Sequence, residues 1–220
     1  GYNIAVKQLK SNKIFIDSIN NVAFKKNFYD VSDKFNPKYL ENYFSREIEP
    51  LYGPEMTNII ASLTLSQKKD DVLTVSQIHS LSKMISFQVL RVPGFLERRF
   101  KHGEIMFDET INETSQWFQL SPETIKSILD DFINNKGDFI KDETLLLIAD
   151  KDRLDKLSEV LADKIWLIYF NNSSVPFITS DSPVVMYNFI RNSVSYADNG
   201  VGREDIFIYY PLSSKILIKI

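Results

Sequence analysis

The chain has 220 residues, of which 44% are hydrophobic, 13% are aromatic and 25% are charged, and its net charge is -3 at neutral pH. This composition is typical of a globular protein with a packed core, and the negative charge disfavours a general affinity for nucleic acid or anionic lipid. Cysteine is absent, which excludes disulfides and cysteine nucleophiles and favours a reducing, cytoplasmic location. No apolar run reaches the roughly 20 residues of a membrane helix, so no membrane partner is predicted.

The first predicted element is a β-hairpin. Residues 3–9 and 13–19 are rich in Ile, Val and Phe, and the polar residues 10–12 between them are typical of a turn. The chain begins with Gly1, not Met, and residues 215–220 end in a strand-like pattern. We therefore interpret the sequence as a fragment of a longer protein.

Residues 37–161 are predicted to be helical. The first helix has one apolar face, and Pro50 and Pro54 are expected to end or kink it. Thr74 is predicted to be the N-cap of a helix that stops at Pro93.

Two further helices are predicted before the C-terminal strands. One extends from Phe95 to Phe107, with His102 in a favourable last-turn position before Gly103. The other extends from Glu143 to Leu161 and has a charged face.

Residues 164–220 are predicted to form strands, because β-branched and aromatic runs alternate with turns. The order β, α, β predicts an α+β fold with all 220 residues in a single domain. Two isolated strands are marginal in water, so the hairpin and the C-terminal strands are expected to share one mostly antiparallel sheet, with the helices as a separate layer.

A polar turn interrupts the apolar run of residues 176–185. Thr179, Asp181 and Ser182 place one carboxylate among hydroxyl groups. Asp181 is interpreted as a turn residue that bonds its own backbone, and the alternative is a carboxylate for metal binding or proton transfer.

Arg91 follows an apolar helix face and precedes Pro93, so its side chain is expected to be more than half buried. A buried guanidinium needs a carboxylate partner, and Glu41, Glu49 and Asp181 are the candidates. If Arg91 and its candidate carboxylates lie close together in the fold, they form a candidate polar pocket. Its residues are Glu49, Gln88, Arg91, Thr179, Asp181 and Ser182.

Arg98 and Arg99 are a candidate anion-binding pair, because guanidinium groups fork onto phosphate and carboxylate. Solvated surface charge is the favoured alternative. The chain has two histidines and no His-Glu-x-x-His pair, so no metal site is predicted. Neither a P-loop nor a Gly-x-Gly-x-x-Gly turn is present, which argues against nucleotide binding by those routes and leaves the cofactor unknown.

Several short motifs, in order, resemble a bacterial family of unknown function, DUF4238. They are Asn27-Phe28-Tyr29, Leu40-Glu41, Ile48-Glu49, Phe87-Gln88-x-x-Arg91-x-Pro93, Phe177-Ile178-Thr179-Ser180-Asp181-x-Pro183-Val184 and Pro211-Leu212-Ser213. The resemblance implies a bacterial cytoplasmic protein and no particular reaction. Members usually open with a His-Tyr-x-Pro-like segment and a Leu-x-x-Phe element, and both are missing here.

Three functions remain open. The favoured one is a ligand-binding or regulatory module without catalysis. The second is a hydrolase acting on a phosphorylated or nucleic-acid substrate at the candidate polar pocket. The third is a subunit of a larger assembly that uses the aromatic segment near Tyr29 as a contact surface.

Overall fold

The computed structural model describes residues 3–8, 13–18, 29–32, 36–65, 73–128, 130, 134–180, 182–194 and 200–220. Within these ranges the elements follow the predicted order of strands, helices and strands, which confirms an α+β fold. They are β1 (Asn3–Gln8), β2 (Lys13–Ser18), α1 (Tyr39–Tyr43), a π-helical turn (Phe44–Ile48), α2 (Glu49–Leu65), α3 (Val75–Arg91), α4 (Pro93–Trp117), α5 (Pro122–Ile128), α6 (Lys136–Ala149), α7 (Lys151–Ala162), β3 (Leu167–Phe170), β4 (Val185–Asn188), β5 (Ile206–Pro211) and β6 (Ile216–Lys219).

The strands form two sheets, so the prediction of one shared sheet is wrong. The four C-terminal strands are antiparallel in the order β3-β6-β5-β4, while β1 and β2 form a separate two-stranded sheet. Four strands already exceed the number that a stable sheet requires. Among the described residues, the C-terminal strands bury their apolar face against helices.

The helices differ from the prediction at three points. The helical path continues through Pro50 and Pro54 in α2, and the π-helical turn ends at Ile48, two residues before Pro50. A wider turn changes the hydrogen-bond register where proline offers no N–H, which explains the continuation. The segment predicted as one helix over 143–161 is two helices, because Asp150 adopts an extended backbone and caps α7.

Helix α4 extends to Trp117, beyond the predicted end at Phe107, so His102 does not lie in its last turn before Gly103 as expected. A β-carbon on Gly103 would lie 2.6 Å from Cγ2 of Ile140, a residue of α6. The glycine therefore permits close packing of α4 against α6, and it does not act as a helix stop.

The start of α3 confirms the predicted N-cap. The Thr74 hydroxyl accepts a hydrogen bond from the Gln77 backbone N–H at 3.2 Å, and the Gln77 side chain accepts one from the Thr74 N–H at 2.9 Å. This reciprocal pair is a capping box, which satisfies two backbone donors at the helix start.

Helix α3 lies between two apolar clusters. Leu81 and Ile85 are buried with the inner face of the four-stranded sheet, which includes Ile208 and Ile218. On another side of the same helix, Phe87 and Leu90 are buried with residues of the first helices and of α4, α6 and α7. The helix thus joins the sheet to the helical layer, and α4 and α7 both pack against it. Among the described residues, no helix has the length and apolar character needed to cross a membrane.

Candidate functional site

A cavity of about 820 Å³ lies where α3, α4 and α7 meet the sheet. We call it the basic cavity, because five of its lining residues carry basic side chains. Helix α4 provides Arg98, Arg99 and His102, and α7 provides Arg153 and Lys156. The apolar lining residues are Val89, Leu90, Phe95, Leu157, Met186 and Val201.

Helical spacing explains why these basic groups converge. Residues three or four apart share one face of a helix, so Arg99 lies beside His102, and Arg153 lies beside Lys156. Both helices pack against α3, and their basic faces therefore line the same space. Arg153 and Lys156 were not among the sequence-predicted site residues, although their spacing beside the buried Leu154 was a usable signal.

Among the described lining residues of the basic cavity, basic side chains outnumber the two carboxylates, Asp150 and Asp152. Four Arg and Lys side chains and two carboxylates give a formal charge of +2 for these six residues. Asp150 is already engaged, because its carboxylate accepts a hydrogen bond from the Arg153 backbone N–H at 3.1 Å and caps α7. The remaining imbalance favours an anion in this space.

Arg99 has an unsatisfied donor. Its side chain is half-buried, and its Nε is fully buried and has no hydrogen-bond partner among the described residues. Buried donors are almost always paired, because an unpaired one forfeits its hydration. A shift of the Arg99 side chain toward the cavity would expose this donor to an acceptor brought by a ligand.

A polar network holds the loop that supplies Gly200 and Val201 to the cavity wall. Arg203 forms a two-point contact with Asp205, from Nε to Oδ1 at 2.7 Å and from a terminal nitrogen to Oδ2 at 2.6 Å. The fully buried Asn188 donates to the same Oδ2 at 2.9 Å. The Arg203 hydrogen bonds, supported by that of Asn188, lower the pKa of Asp205 to about 2.

The structure brings together three residues of the predicted polar pocket. Glu49, Gln88 and Arg91 line a cavity of about 260 Å³, with Tyr52 and Tyr210 beside them. Burial raises the pKa of both tyrosines, so the phenols are neutral at physiological pH.

The other three residues of that prediction lie elsewhere or outside the described ranges. Thr179 and Ser182 line a different cavity with Tyr209, whereas the neighbouring Tyr210 lines the Glu49 cavity. Successive strand residues point to opposite faces, so the two groups lie on opposite faces of the sheet. Asp181 lies outside the described residues, and its predicted role stays a prediction.

Next to Asp181, the Ser180 hydroxyl accepts a hydrogen bond from the Ser182 N–H at 3.1 Å and donates to the Ser182 carbonyl at 3.0 Å. A serine therefore makes the local turn bonds here. Such bonds are typical of short hydroxyl side chains in turns.

Arg91 is half-buried as predicted, but its expected ion pair with Glu41 or Glu49 is wrong. Among the described residues, no carboxylate lies within ion-pairing distance of it. Its guanidinium carbon lies 5.4 Å from the ring centroid of Phe44 and 5.3 Å from that of Phe87. Aromatic faces stabilise the cation here. The third candidate partner, Asp181, lies outside the described residues, so that pairing stays a prediction.

Tyr29 makes intramolecular contacts. Its hydroxyl donates to the Arg91 carbonyl at 2.8 Å, and its ring packs edge-on against Phe44 with centroids 5.2 Å apart. These contacts tie the segment before the helices to the end of α3. Residues 22–28 of the aromatic segment lie outside the described residues, so the predicted contact surface near Tyr29 stays a prediction.

Within the part of the chain that the structure describes, no group of three or more His, Asp or Glu side chains is close enough to hold a metal ion.

Comparison with known proteins identifies the family. The model of a family described as protein of unknown function, DUF4238, matches residues 1–220. The chain belongs to this family. No curated protein and no solved structure matches it. Membership in DUF4238 assigns no reaction, so a proposal on function depends on the geometry of the site.

Proposed function

We propose that this DUF4238 protein is a ligand-binding module that takes an anionic small molecule in the basic cavity. The observation that carries the proposal is the buried, unpaired Nε of Arg99 at a cavity wall that also presents Arg98, Arg153 and Lys156. A volume of about 820 Å³ is within the usual range of small-molecule sites, roughly 300–1,000 Å³. The resemblance to bacterial proteins and the lack of cysteine favour a bacterial cytoplasmic location for this module.

The mixture of basic and apolar lining residues supports recognition of a ligand that has a charged part and an uncharged part. Guanidinium groups provide donors in a planar fork that matches phosphate and carboxylate oxygens. Because Arg99 is half-buried before the ligand arrives, its side chain loses less conformational entropy on binding. Leu157 and Val201 would cover the uncharged part of the ligand.

Calorimetric titration with phenyl phosphate tests this proposal. Arg99→Gln should weaken binding about tenfold or more, because it removes a charge-assisted contact worth roughly 1.5–3 kcal/mol. Arg46→Gln is the matched control, because Arg46 is exposed on the π-helical turn and does not line the basic cavity. Equal affinity of the wild type and Arg99→Gln, or no binding by the wild type, would contradict the proposal.

A second candidate function is hydrolysis of a phosphorylated substrate in the smaller cavity. It is favoured by the convergence of Glu49, Gln88 and Arg91 on one space, where Glu49 could act as a general base and Arg91 could hold an anionic oxygen.

A phosphomonoesterase assay with p-nitrophenyl phosphate tests the second candidate. Glu49→Gln should abolish turnover, whereas Glu47→Gln should not, since Glu47 is exposed on the neighbouring turn and does not line that cavity. Turnover that persists in Glu49→Gln, or no turnover in the wild type, would exclude this role.

A further inference from the structure

A second cavity of about 600 Å³ lies between α4 and α6 and adjoins the basic cavity. The two share Arg99 and His102 as lining residues. Beyond these two residues the lining of the second cavity is mainly apolar, and we call it the apolar groove. Its apolar members are Met106, Phe107, Ile111, Phe139, Ile140 and Leu147.

The apolar groove follows the axis of α4. Its lining positions on this helix recur at Gly103, Met106 and Thr110, three and four residues apart, which places them on one face. From Arg99 to Ile111 this face extends about 18 Å at 1.5 Å per residue. Gly103 contributes no side chain, so Ile140 approaches α4 closely and forms part of the lining.

Apolar side chains in this groove are incompletely covered. Met106 is 46% exposed and Phe139 is 42% exposed, while Ile111 and Ile140 are buried. Exposed neighbouring apolar groups often mark a binding surface. The apolar groove is continuous with Arg99, whose buried Nε has no hydrogen-bond acceptor among the described residues.

We infer that the ligand is an anionic amphiphile, with its charged head in the basic cavity and its alkyl chain in the apolar groove. The inference rests on the proposed function, because it needs the head-group site. The basic side chains favour a ligand with a negatively charged head group. The two cavities share Arg99 and His102, so a molecule whose head lies in the basic cavity can extend its alkyl chain past these side chains into the apolar groove. The shared head-group chemistry is a phosphate or a carboxylate.

Burial of the chain provides a quantitative signature. Each buried methylene contributes about 0.8 kcal/mol, which is a factor of about four in affinity. Affinity should therefore rise by roughly fifteenfold for every two carbons added, until the chain extends past the groove. A site that binds only the charged head group would show no dependence of affinity on chain length.

The experiment is a calorimetric titration of the whole chain with ethyl, butyl, hexyl and octyl phosphate, each below its micelle concentration. Octanoate against octyl phosphate, which have chains of similar length, distinguishes a carboxylate head from a phosphate head. The readout is the ratio of Kd for ethyl phosphate to Kd for octyl phosphate. Any effect of a substitution on binding of the head group alone changes both Kd values equally and cancels in this ratio. Met106→Gln should reduce this ratio at least tenfold. Ile105→Gln is the matched control, because Ile105 is the adjacent residue, is 49% exposed and does not line the groove.

The outcomes separate this inference from the proposed function. If ethyl phosphate binds in an Arg99-dependent manner and chain length has no effect, the amphiphile is wrong and the anion site stands. If no member of the series binds, the proposed function is wrong as well. A chain-length effect that Met106→Gln and Ile105→Gln change equally would place the chain outside the groove and overturn the inference. Chain-length dependence lost only in Met106→Gln supports it.

Discussion

The Cα of Gly103 in α4 faces Cγ2 of Ile140 in α6 so closely that a β-carbon on the glycine would lie 2.6 Å from that methyl group. Real β-carbons essentially never approach another heavy atom this closely. Ile140 is buried, and its β-branched side chain has few alternative rotamers. The pair therefore sets how near α4 and α6 can come, and with it the shape of the apolar groove.

We expect Gly103→Ala to destabilise the fold by about 1–2 kcal/mol, because overpacking outweighs the gain of about 1 kcal/mol in helix propensity. Urea unfolding measures the change. Gly137→Ala is the control, since nothing lies within 4 Å of a β-carbon there, and this change should be neutral or stabilising. Ile140→Leu removes the opposing Cγ2, so a double-mutant cycle should recover part of the loss. Additive effects in that cycle would contradict the contact.

Asp205 should make the fold sensitive to acid. Its pKa of about 2 in the folded protein is below the usual 3.8, so the ionised form stabilises the fold. This contribution is present above about pH 4 and is lost as the pH falls toward 2. Asp205→Asn lacks it, so the difference in unfolding free energy between wild type and variant should shrink from pH 5 to pH 2.5 in urea titrations.

The cause of that pKa can be tested separately. Arg203→Gln removes both guanidinium contacts with Asp205, and an NMR titration should then show the carboxyl pKa returning toward 3.8. The Asn188 hydrogen bond remains in this variant. A pKa that stays near 2 would show that Arg203 is not the main cause.

Arg91→Met should destabilise the protein by only about 1–2 kcal/mol. Methionine keeps an aliphatic body of similar length, so the loss is mainly that of two cation–π contacts, with Phe44 and Phe87, worth about 0.5–1 kcal/mol each. A loss of 3–5 kcal/mol in chemical unfolding would instead indicate a buried carboxylate left unpaired.

Ser86→Ala should leave stability unchanged or raise it by about 0.5–1 kcal/mol. The Ser86 hydroxyl is fully buried on α3, and in the described part of the chain it has no hydrogen-bond partner. Removing it eliminates an unsatisfied polar group and improves helix propensity. Ser86→Val adds volume at the same site and should destabilise by roughly 1–3 kcal/mol through overpacking. A lower thermal midpoint for Ser86→Ala would reveal a hydrogen bond at this hydroxyl.

Local signals predicted the elements that depend on neighbouring residues. Thr74 predicted the start of α3, and runs of β-branched and aromatic residues predicted the strands around Ile208 and Ile218. These features follow from capping bonds and from strand propensity, which act within a few residues. The α+β class follows from their order along the chain.

What the sequence determined by itself was therefore the identity and order of most elements, and also the family, through motifs spread over the chain. The tertiary structure decided that Gly103 lies inside a helix, that Arg91 is stabilised by rings, and that Arg99 shares a cavity with Arg153. These facts depend on contacts between residues distant in the chain. The local sequence permits Gly103 either to end a helix or to allow two helices to pack closely, and it permits Arg91 to pair with a carboxylate or to lie over aromatic rings. Only the packing of the helices selects between these alternatives.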